Sequence, residues 1–425
     1  MKILLLAYHV SPYRGSECSV AWNHICSMSK EHELTVLYGS SGDHLGDDND
    51  LAKFHQSGGK LDNVTWDFIS SNSFIELSNI MNRKGIFSYS FYIAYNLWHR
   101  KVFSHCRKNI DLDNYDVIHY LTPIGYREPG YLWKLNKPYV WGAVGGTTSI
   151  DFRLLTGLSF IGKTKLIFRR LVNTVQLKLS SRVSSAIKNT DVFISATSEN
   201  RDNFIKYFNA DSIYIPENGP IGDVCTNTDL VDKDSSLVNV VWIGSIEDRK
   251  NLRLLVDSTH YIHNMDKFFI NIVGGGPLLD EMKNYVHKLG IADRVKFHGS
   301  IPRSAVQEIV QLSDLHVITS VSEGNPTTIW EVMKYGIPTL TIDHCGMKDT
   351  ISPDAGFKIP IDDYSKLVKS FANILNKIEN DPDIIVSMRE NVLRDFHNFH
   401  WDNRKNFFNG IYKKAVENYN KSTHI

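Results

Sequence analysis

Residues 315–331 read Leu315-His316-Val317-Ile318-Thr319-Ser320-Val321-Ser322-Glu323-Gly324-Asn325-Pro326-Thr327-Thr328-Ile329-Trp330-Glu331. A short apolar run of strand character passes into a loop holding Gly324 and Pro326, and the pattern predicts a helix from Thr327 or Thr328. Strand, loop and helix in that order make one βα unit, and the N–H groups left free at the helix start suit an anion. Glu323 in the loop and Glu331 one turn into the helix flank that site. Bare carboxylates repel phosphate, so they fit better as acceptors of hydroxyl hydrogen bonds, one from a sugar and one from a ribose. Thr328-Ile329-Trp330-Glu331 also spells a capping box, in which Glu331 only satisfies a backbone donor.

The same rhythm of short apolar runs and longer helical patterns continues on both sides, which is the signature of parallel sheets with crossover helices. Strands are predicted at 2–6, 33–38, 116–119, 139–141, 192–195 and 212–215, and again at 238–243, 268–273, 295–298, 315–319 and 339–342. Two doubly wound α/β domains follow, the expected size for 425 residues. The polar stretch from Pro216 to Leu237 reads as the linker, giving domains 1–216 and 217–400, with a C-terminal helix near 401–420 free to pack on either. Gly39 to Lys60 reads as a mobile loop or a short solvated helix. Parallel sheets bind ligands at the carboxyl ends of their strands, so two such domains facing across a cleft suit transfer between two substrates.

Composition narrows the class. Lysine plus arginine and aspartate plus glutamate both number 47, which argues against a surface built for nucleic acid. Five cysteines, with no CxxC pair or metal-ligand spacing, read as reduced cytosolic thiols. The opening Met1-Lys2-Ile3-Leu4-Leu5-Leu6-Ala7 is too short for a signal sequence and reads as a buried strand. No apolar run reaches the length of a membrane span, so the expected location is the cytoplasm, with peripheral contact at the inner face of the plasma membrane as the alternative.

Three further segments carry chemistry. Val241-Trp242-Ile243-Gly244-Ser245-Ile246-Glu247-Asp248-Arg249-Lys250-Asn251 runs from a strand into a turn with two adjacent cations. Ile272-Val273-Gly274-Gly275-Gly276-Pro277 ends a strand and opens a helix, with glycines that admit a close backbone approach. Val295-Lys296-Phe297-His298-Gly299-Ser300-Ile301 is another strand end.

Taken in this order with the Glu-x7-Glu pair Glu323 and Glu331, these segments resemble the retaining glycosyltransferase family 4, also called glycosyltransferase group 1, whose fold is GT-B. The resemblance covers 238–360 closely and the rest loosely. It implies that Glu331 binds the nucleotide ribose and that Glu323, with the loop residues Gly324, Asn325, Pro326, Thr327 and Thr328 and the backbone amides that the non-proline ones supply, holds the donor sugar. Lys250 matches the lysine of the family's Gly-Arg-Leu-x-x-x-Lys segment and is expected on the donor diphosphate. Ser245 stands in the arginine position, which leaves half of that clamp open, and Arg249 is the nearest substitute. Gly274, Gly276 and Pro277 match the Gly-x-Gly-Pro turn, and His298 lies where the strand end cradles the base.

In the first half, Ser11-Pro12-Tyr13-Arg14-Gly15-Ser16-Glu17 resembles the family's glycine-containing loop, placing Gly15 and Ser16 toward donor or acceptor. His119, at the end of a strand, reads either as a polar contact to substrate or as a structural histidine. The histidine that many members carry after the next strand is missing from Tyr139-Val140-Trp141-Gly142-Ala143-Val144-Gly145-Gly146, which suggests a backbone-lined acceptor site. Glu323, Lys250 and His119 are therefore the candidate catalytic groups.

The expected reaction moves a hexose from a nucleotide-diphosphate sugar, UDP-sugar first among them, to a saccharide or lipid-linked saccharide, with retention and without metal or other cofactor. Bacterial surface polysaccharide synthesis is the setting the resemblance implies. Asp111-Leu112-Asp113 spells a metal motif but precedes a strand instead of ending one, and Asp343-His344-Cys345 reads as a packed turn. Two rivals stay open: a nucleotide-sugar epimerase of the same fold, and a non-catalytic GT-B sugar-binding scaffold. The stretch 152–190 contains no acidic residue while Arg153, Lys163, Lys165, Arg169, Arg170, Lys178, Arg182 and Lys188 alternate with apolar residues. Such a segment can lie on an anionic membrane surface or form an ordinary solvated face.

Overall fold

The computed structural model describes residues 1–42, 44–87, 89–225 and 237–423. Half of the linker predicted between Pro216 and Leu237, residues 226–236, lies outside the described residues. Two compact units form: Met1–Thr147 with Val175–Gly219 and Trp401–Ile425, and Thr148–Thr174 with Pro220–His400.

The first unit holds seven parallel strands, β1 (Lys2–Ala7), β2 (Glu33–Tyr38), β3 (Val64–Phe68), β4 (Val117–Thr122), β5 (Tyr139–Val144), β6 (Val192–Ser195) and β7 (Ile213–Tyr214), in the order β3-β2-β1-β4-β5-β6-β7. Central strands of a parallel sheet are covered on both faces, which explains why β1 is apolar at consecutive positions. Leu4 and Leu6 face a core closed by Tyr95, Trp98 and Val102 of the Ser90–Asn109 helix. Ile3, Leu5 and Ala7 face the other core, closed by Ala21 and Ile25 of the Glu17–Met28 helix and by Phe408, Ile411, Tyr412 and Ala415 of the Trp401–Thr423 helix. The C-terminal helix thus belongs to the first unit. The stretch 39–60 contains the Asn49–Gln56 helix, whose Asp50 accepts hydrogen bonds from Ser11 and Arg14, both at 2.7 Å.

The second unit holds six parallel strands, β8 (Val238–Ile243), β9 (Phe268–Val273), β10 (Val295–Gly299), β11 (Leu315–Ile318), β12 (Thr339–Ile342) and β13 (Gly356–Ile359), in the order β10-β9-β8-β11-β12-β13. The stretch 148–174, which sequence order assigns to the N-terminal domain, packs with this unit instead. Leu154, Leu155, Leu158 and Leu166 enter the same core as Val240, Trp242 and Leu315.

Candidate functional site

The strand order of the second unit reverses between β8 and β11, and such a switch point is where open parallel sheets bind ligands. Both charged motifs stand there. After β8 the chain makes a short 3₁₀ turn over Asp248–Lys250, ended by Asn251 at φ 47°, a left-handed conformation that asparagine tolerates. The turn is stapled to the loop after β11: Val321 N–H donates to Arg249 O at 2.9 Å, and the Thr319 hydroxyl donates to Lys250 O at 2.8 Å. Trp242 Nε1 donates to the same Thr319 hydroxyl at 3.0 Å.

That stapling brings two cations onto one carboxylate. Lys250 Nζ lies 2.6 Å and Arg249 Nη1 2.9 Å from Glu323 Oε1. Arg249 also donates to Ser322 O at 3.1 Å and pairs with Glu247 at 2.8 Å. The side chains of Glu323 and Lys250 are only 10% and 16% exposed, so the pair is strong and shielded from salt. Glu247, Arg249, Lys250 and Glu323 carry two charges of each sign. A dianionic diphosphate entering this cluster can take the cations from Glu323, leaving that carboxylate free to accept hydroxyl hydrogen bonds. Ser245 leaves no cation at its own position, and Arg249 supplies the second one from four residues further on.

The glycines around the cluster serve close packing of main chain. Gly274 has φ +134°, and a Cβ there would sit 1.9 Å from Gly244 O; at Gly276, φ +156°, it would meet Ile246 O at 2.5 Å. Ile246 N–H donates to Gly275 O at 2.8 Å, and Leu278 N–H, just past Pro277, to Ile246 O at 3.0 Å. His298 on β10 shares a 2.8 Å hydrogen bond with Asn271 on β9, and burial with the nearby Lys296 lowers its pKa, so it serves position.

The helix after β11 spans Thr327–Met333 with Pro326 as its cap residue, which has no side-chain acceptor. Glu331 therefore lies beyond a capping-box position. Its carboxylate reaches Arg303 at 3.4 Å and its pKa is raised by desolvation, an environment a hydroxyl donor would relieve. Asn325 is buried, Gly324 is exposed, and Gly324 O accepts Gly346 N–H at 3.1 Å.

In the first unit the structure corrects the reading of His119. Its ring is fully buried, Nε2 bonds to Gly142 O at 2.8 Å and Nδ1 to the Tyr412 hydroxyl at 2.9 Å. A carbonyl only accepts, so Nε2 carries the proton and Tyr412 donates to Nδ1. The hydroxyl in turn accepts from His24 Nε2 at 3.0 Å. No nitrogen of His119 is left for a substrate, and burial pushes its pKa down to about 4. It pins the C-terminal helix and has no catalytic role.

Gly15 and Ser16 are exposed at the start of the Glu17–Met28 helix, with Ser16 at φ 57°. Their neighbour Glu17 was given no side-chain role by the sequence pattern, yet its carboxylate accepts Ile124 N–H at 3.3 Å just beyond β4, and burial raises its pKa to about 7. Gly145 also contributes main chain there, donating to Ile124 O and accepting from Tyr126 N–H.

Asp111 accepts from Asp113 N–H and the Asn114 amide, and Asp113 pairs with Lys137 at 3.1 Å, so Asp-x-Asp here builds a turn. His344 donates to or accepts from Ser320 O and Cys345, stitching the turn after β12 to the loop after β11; since a carbonyl only accepts, Nε2 is the donor to Ser320 O. Among the described residues no group of three His, Cys, Asp or Glu side chains is placed to hold a metal ion.

Residues 232–392 match the family Glycosyl transferases group 1. The chain is 22% identical over 170 residues to the putative colanic acid biosynthesis glycosyltransferase WcaL of Escherichia coli K12, covering 38% of this chain and 42% of that protein. It is 30% identical over 118 residues to lipopolysaccharide 1,6-galactosyltransferase of Salmonella typhimurium, covering 27% and 32%. Both matches span less than half of the relative's own length. Protein CapJ of Staphylococcus aureus is 24% identical over 80% of this chain and 82% of its own. Among solved structures, the lipopolysaccharide outer core galactosyltransferase WaaB in its apo form superposes with a TM-score of 0.64 at 18% identity, covering 97% of this chain and all of that one. Alr3699/HepE of Anabaena in complex with UDP superposes with a TM-score of 0.61 at 15% identity, covering 95% and 98%. At such identities the likeness is one of fold. Residues 232–392, which hold the Lys250, Arg249 and Glu323 cluster, match the glycosyl transferases group 1 family, and the chain as a whole has the GT-B fold of two parallel-sheet units.

Proposed function

We propose that the chain transfers a hexose from a UDP-linked donor to a saccharide or lipid-linked saccharide acceptor, with retention at the anomeric carbon, in the assembly of a bacterial surface polysaccharide. The observation that carries this reading is the pair of cations, Lys250 and Arg249, held on Glu323 at the β8/β11 switch point. When the bond from the sugar to the diphosphate breaks, negative charge grows on the leaving oxygen. Two fixed cations in a shielded site stabilise that charge without the solvent rearrangement water would need. They supply what a divalent cation supplies in metal-dependent transfer, so the reaction needs no metal.

Glu323, released by the phosphate, takes hydroxyls of the sugar, and Glu331 takes those of the ribose. The relatives, which include lipopolysaccharide and colanic acid transferases, support the acceptor class, and the UDP complex of the Anabaena protein supports the base. The structure favours turnover over the scaffold reading, because Arg249 restores the cation that Ser245 omits.

Calorimetric titration of UDP, GDP and ADP against the protein and its Glu331→Ala variant tests the donor site. UDP binding that the variant weakens is the expected result. Absence of binding by all three nucleotides sinks the transferase reading.

A further inference from the structure

The Phe160–Leu179 helix carries an apolar face that none of the described residues covers. At about 3.6 residues per turn, Phe160, Ile161, Thr164, Ile167, Phe168 and Leu171 share roughly one third of the helix circumference. Phe160 is 81% exposed, Ile161 65% and Leu171 61%, values far above those of side chains that pack on a protein. The opposite side is the one that binds the second unit: Leu166 is buried in its core, and Gly162 lies against Asp248, where a Cβ would come within 2.2 Å of the carboxylate carbon. The helix thus has two apolar faces, and the fold uses one.

Charge is sorted around the exposed face. Lys163 lies along one edge and Lys165 along the other, with Arg170 and Arg169 further round, and no acidic residue occurs from 152 to 190 although the whole chain is neutral. Long basic side chains that flank an apolar stripe can extend past it and keep their charge at a polar boundary. Five Lys and Arg among the twenty residues rule out a spanning orientation, and no described helix is long and apolar enough to cross a membrane. The pattern is that of a helix lying in the plane of an interface. A second copy of the chain is a poor occupant, because two faces rimmed with like charge would repel. A nucleic acid offers no match for Phe and Leu.

We infer that this face docks on an anionic phospholipid surface, with Phe160, Ile161, Phe168 and Leu171 in the headgroup and upper acyl region and Lys163 and Lys165 on lipid phosphates. The helix start is fixed to the donor site: Ser159 N–H and its hydroxyl both donate to Asp248 at 2.8 Å, in the turn that ends in Lys250. Docking therefore holds the donor turn near the lipid surface.

The test is flotation of the full chain with vesicles of phosphatidylglycerol and phosphatidylcholine in equal parts, and with phosphatidylcholine alone, in the absence of nucleotide, so that it does not depend on the transferase reading. Expected is binding to the mixed vesicles that weakens in high salt. Lys163→Glu with Lys165→Glu should lower partitioning on the order of tenfold or more, because each basic residue near an anionic surface contributes about a factor of five. Phe160→Ser with Phe168→Ser and Leu171→Ser should abolish binding while melting temperature and UDP titration stay unchanged, since these side chains are exposed. Failure of the wild type to float with mixed vesicles, or undiminished binding by both variants, overturns the proposal. A serine variant that changes only the oligomeric state overturns it too, by making a second copy the occupant.

Discussion

Replacing Lys250 by alanine isolates one of the two cations on Glu323. A unit charge about 4 Å from a developing anion, in an effective dielectric of about 20, interacts by roughly 4 kcal/mol. Part of that is offset in the resting site, where the ammonium already pairs with Glu323 at 2.6 Å. What survives is the range of a charge-assisted contact, about 1.5–3 kcal/mol. In rate that is on the order of ten- to a hundredfold. Arg249, whose side chain is 29% exposed and already divided between Glu247 and Glu323, should cost less. Because Arg249 remains on the carboxylate in Lys250→Ala, Glu323 is not orphaned and the fold should hold. The two variants share a partner, so their combined effect should depart from the sum. The assay is UDP release from the UDP-sugar that calorimetry selects, with melting temperature as the fold check. Full activity of Lys250→Ala refutes the assignment of the cations to the leaving group.

Other outcomes follow from single contacts. Tyr412→Phe removes the hydroxyl that serves both His24 and His119, and should destabilise the protein by about 1–3 kcal/mol in denaturant titration; an unchanged midpoint argues against the relay. Gly274→Ala forces a Cβ onto Gly244 O at a left-handed φ, and should lower both melting temperature and UDP affinity, whereas normal values would mean the loop moves freely. Glu17, with its pKa raised from 4.5 to about 7, keeps in the folded state a proton that the unfolded chain loses. Its share of stability is present below about pH 4.5 and is lost as pH rises to about 7, so Glu17→Gln should flatten the stability profile across that window. Equal slopes for variant and wild type would show that Glu17 titrates normally.

The second unit was the more legible half. β8, β9 and β12 match their predicted bounds because each is a short run dominated by β-branched and aromatic residues between turn residues. β3 escaped notice because Val64–Phe68 is a half-exposed edge strand with Asp67 in it, and β13 because its short run begins at Gly356 and includes Lys358. The grouping of Glu323 with Lys250 was marked only by the family resemblance of their segments, and the glycine turn by its place between a strand and a helix. Arg249 could not be decided by adjacency to Lys250; the turn ended by Asn251 turns both side chains to one carboxylate. His119 could not be resolved either, since its partner Tyr412 lies 293 residues away and nothing local marks the pair. The same distance problem hid Ser159 and Asp248, 89 residues apart.

The return of the Trp401–Thr423 helix to the first unit inverts the order of synthesis and the order of completion. A ribosome delivers β1 before the second unit and the helix that covers Ile3, Leu5 and Ala7 after it. Through the synthesis of the second unit, that face of the sheet has the Glu17–Met28 helix over it but still lacks its second cover, while the second unit has all its parts at His400. A truncation after His400 would leave a complete second unit attached to a sheet lacking one of its covers.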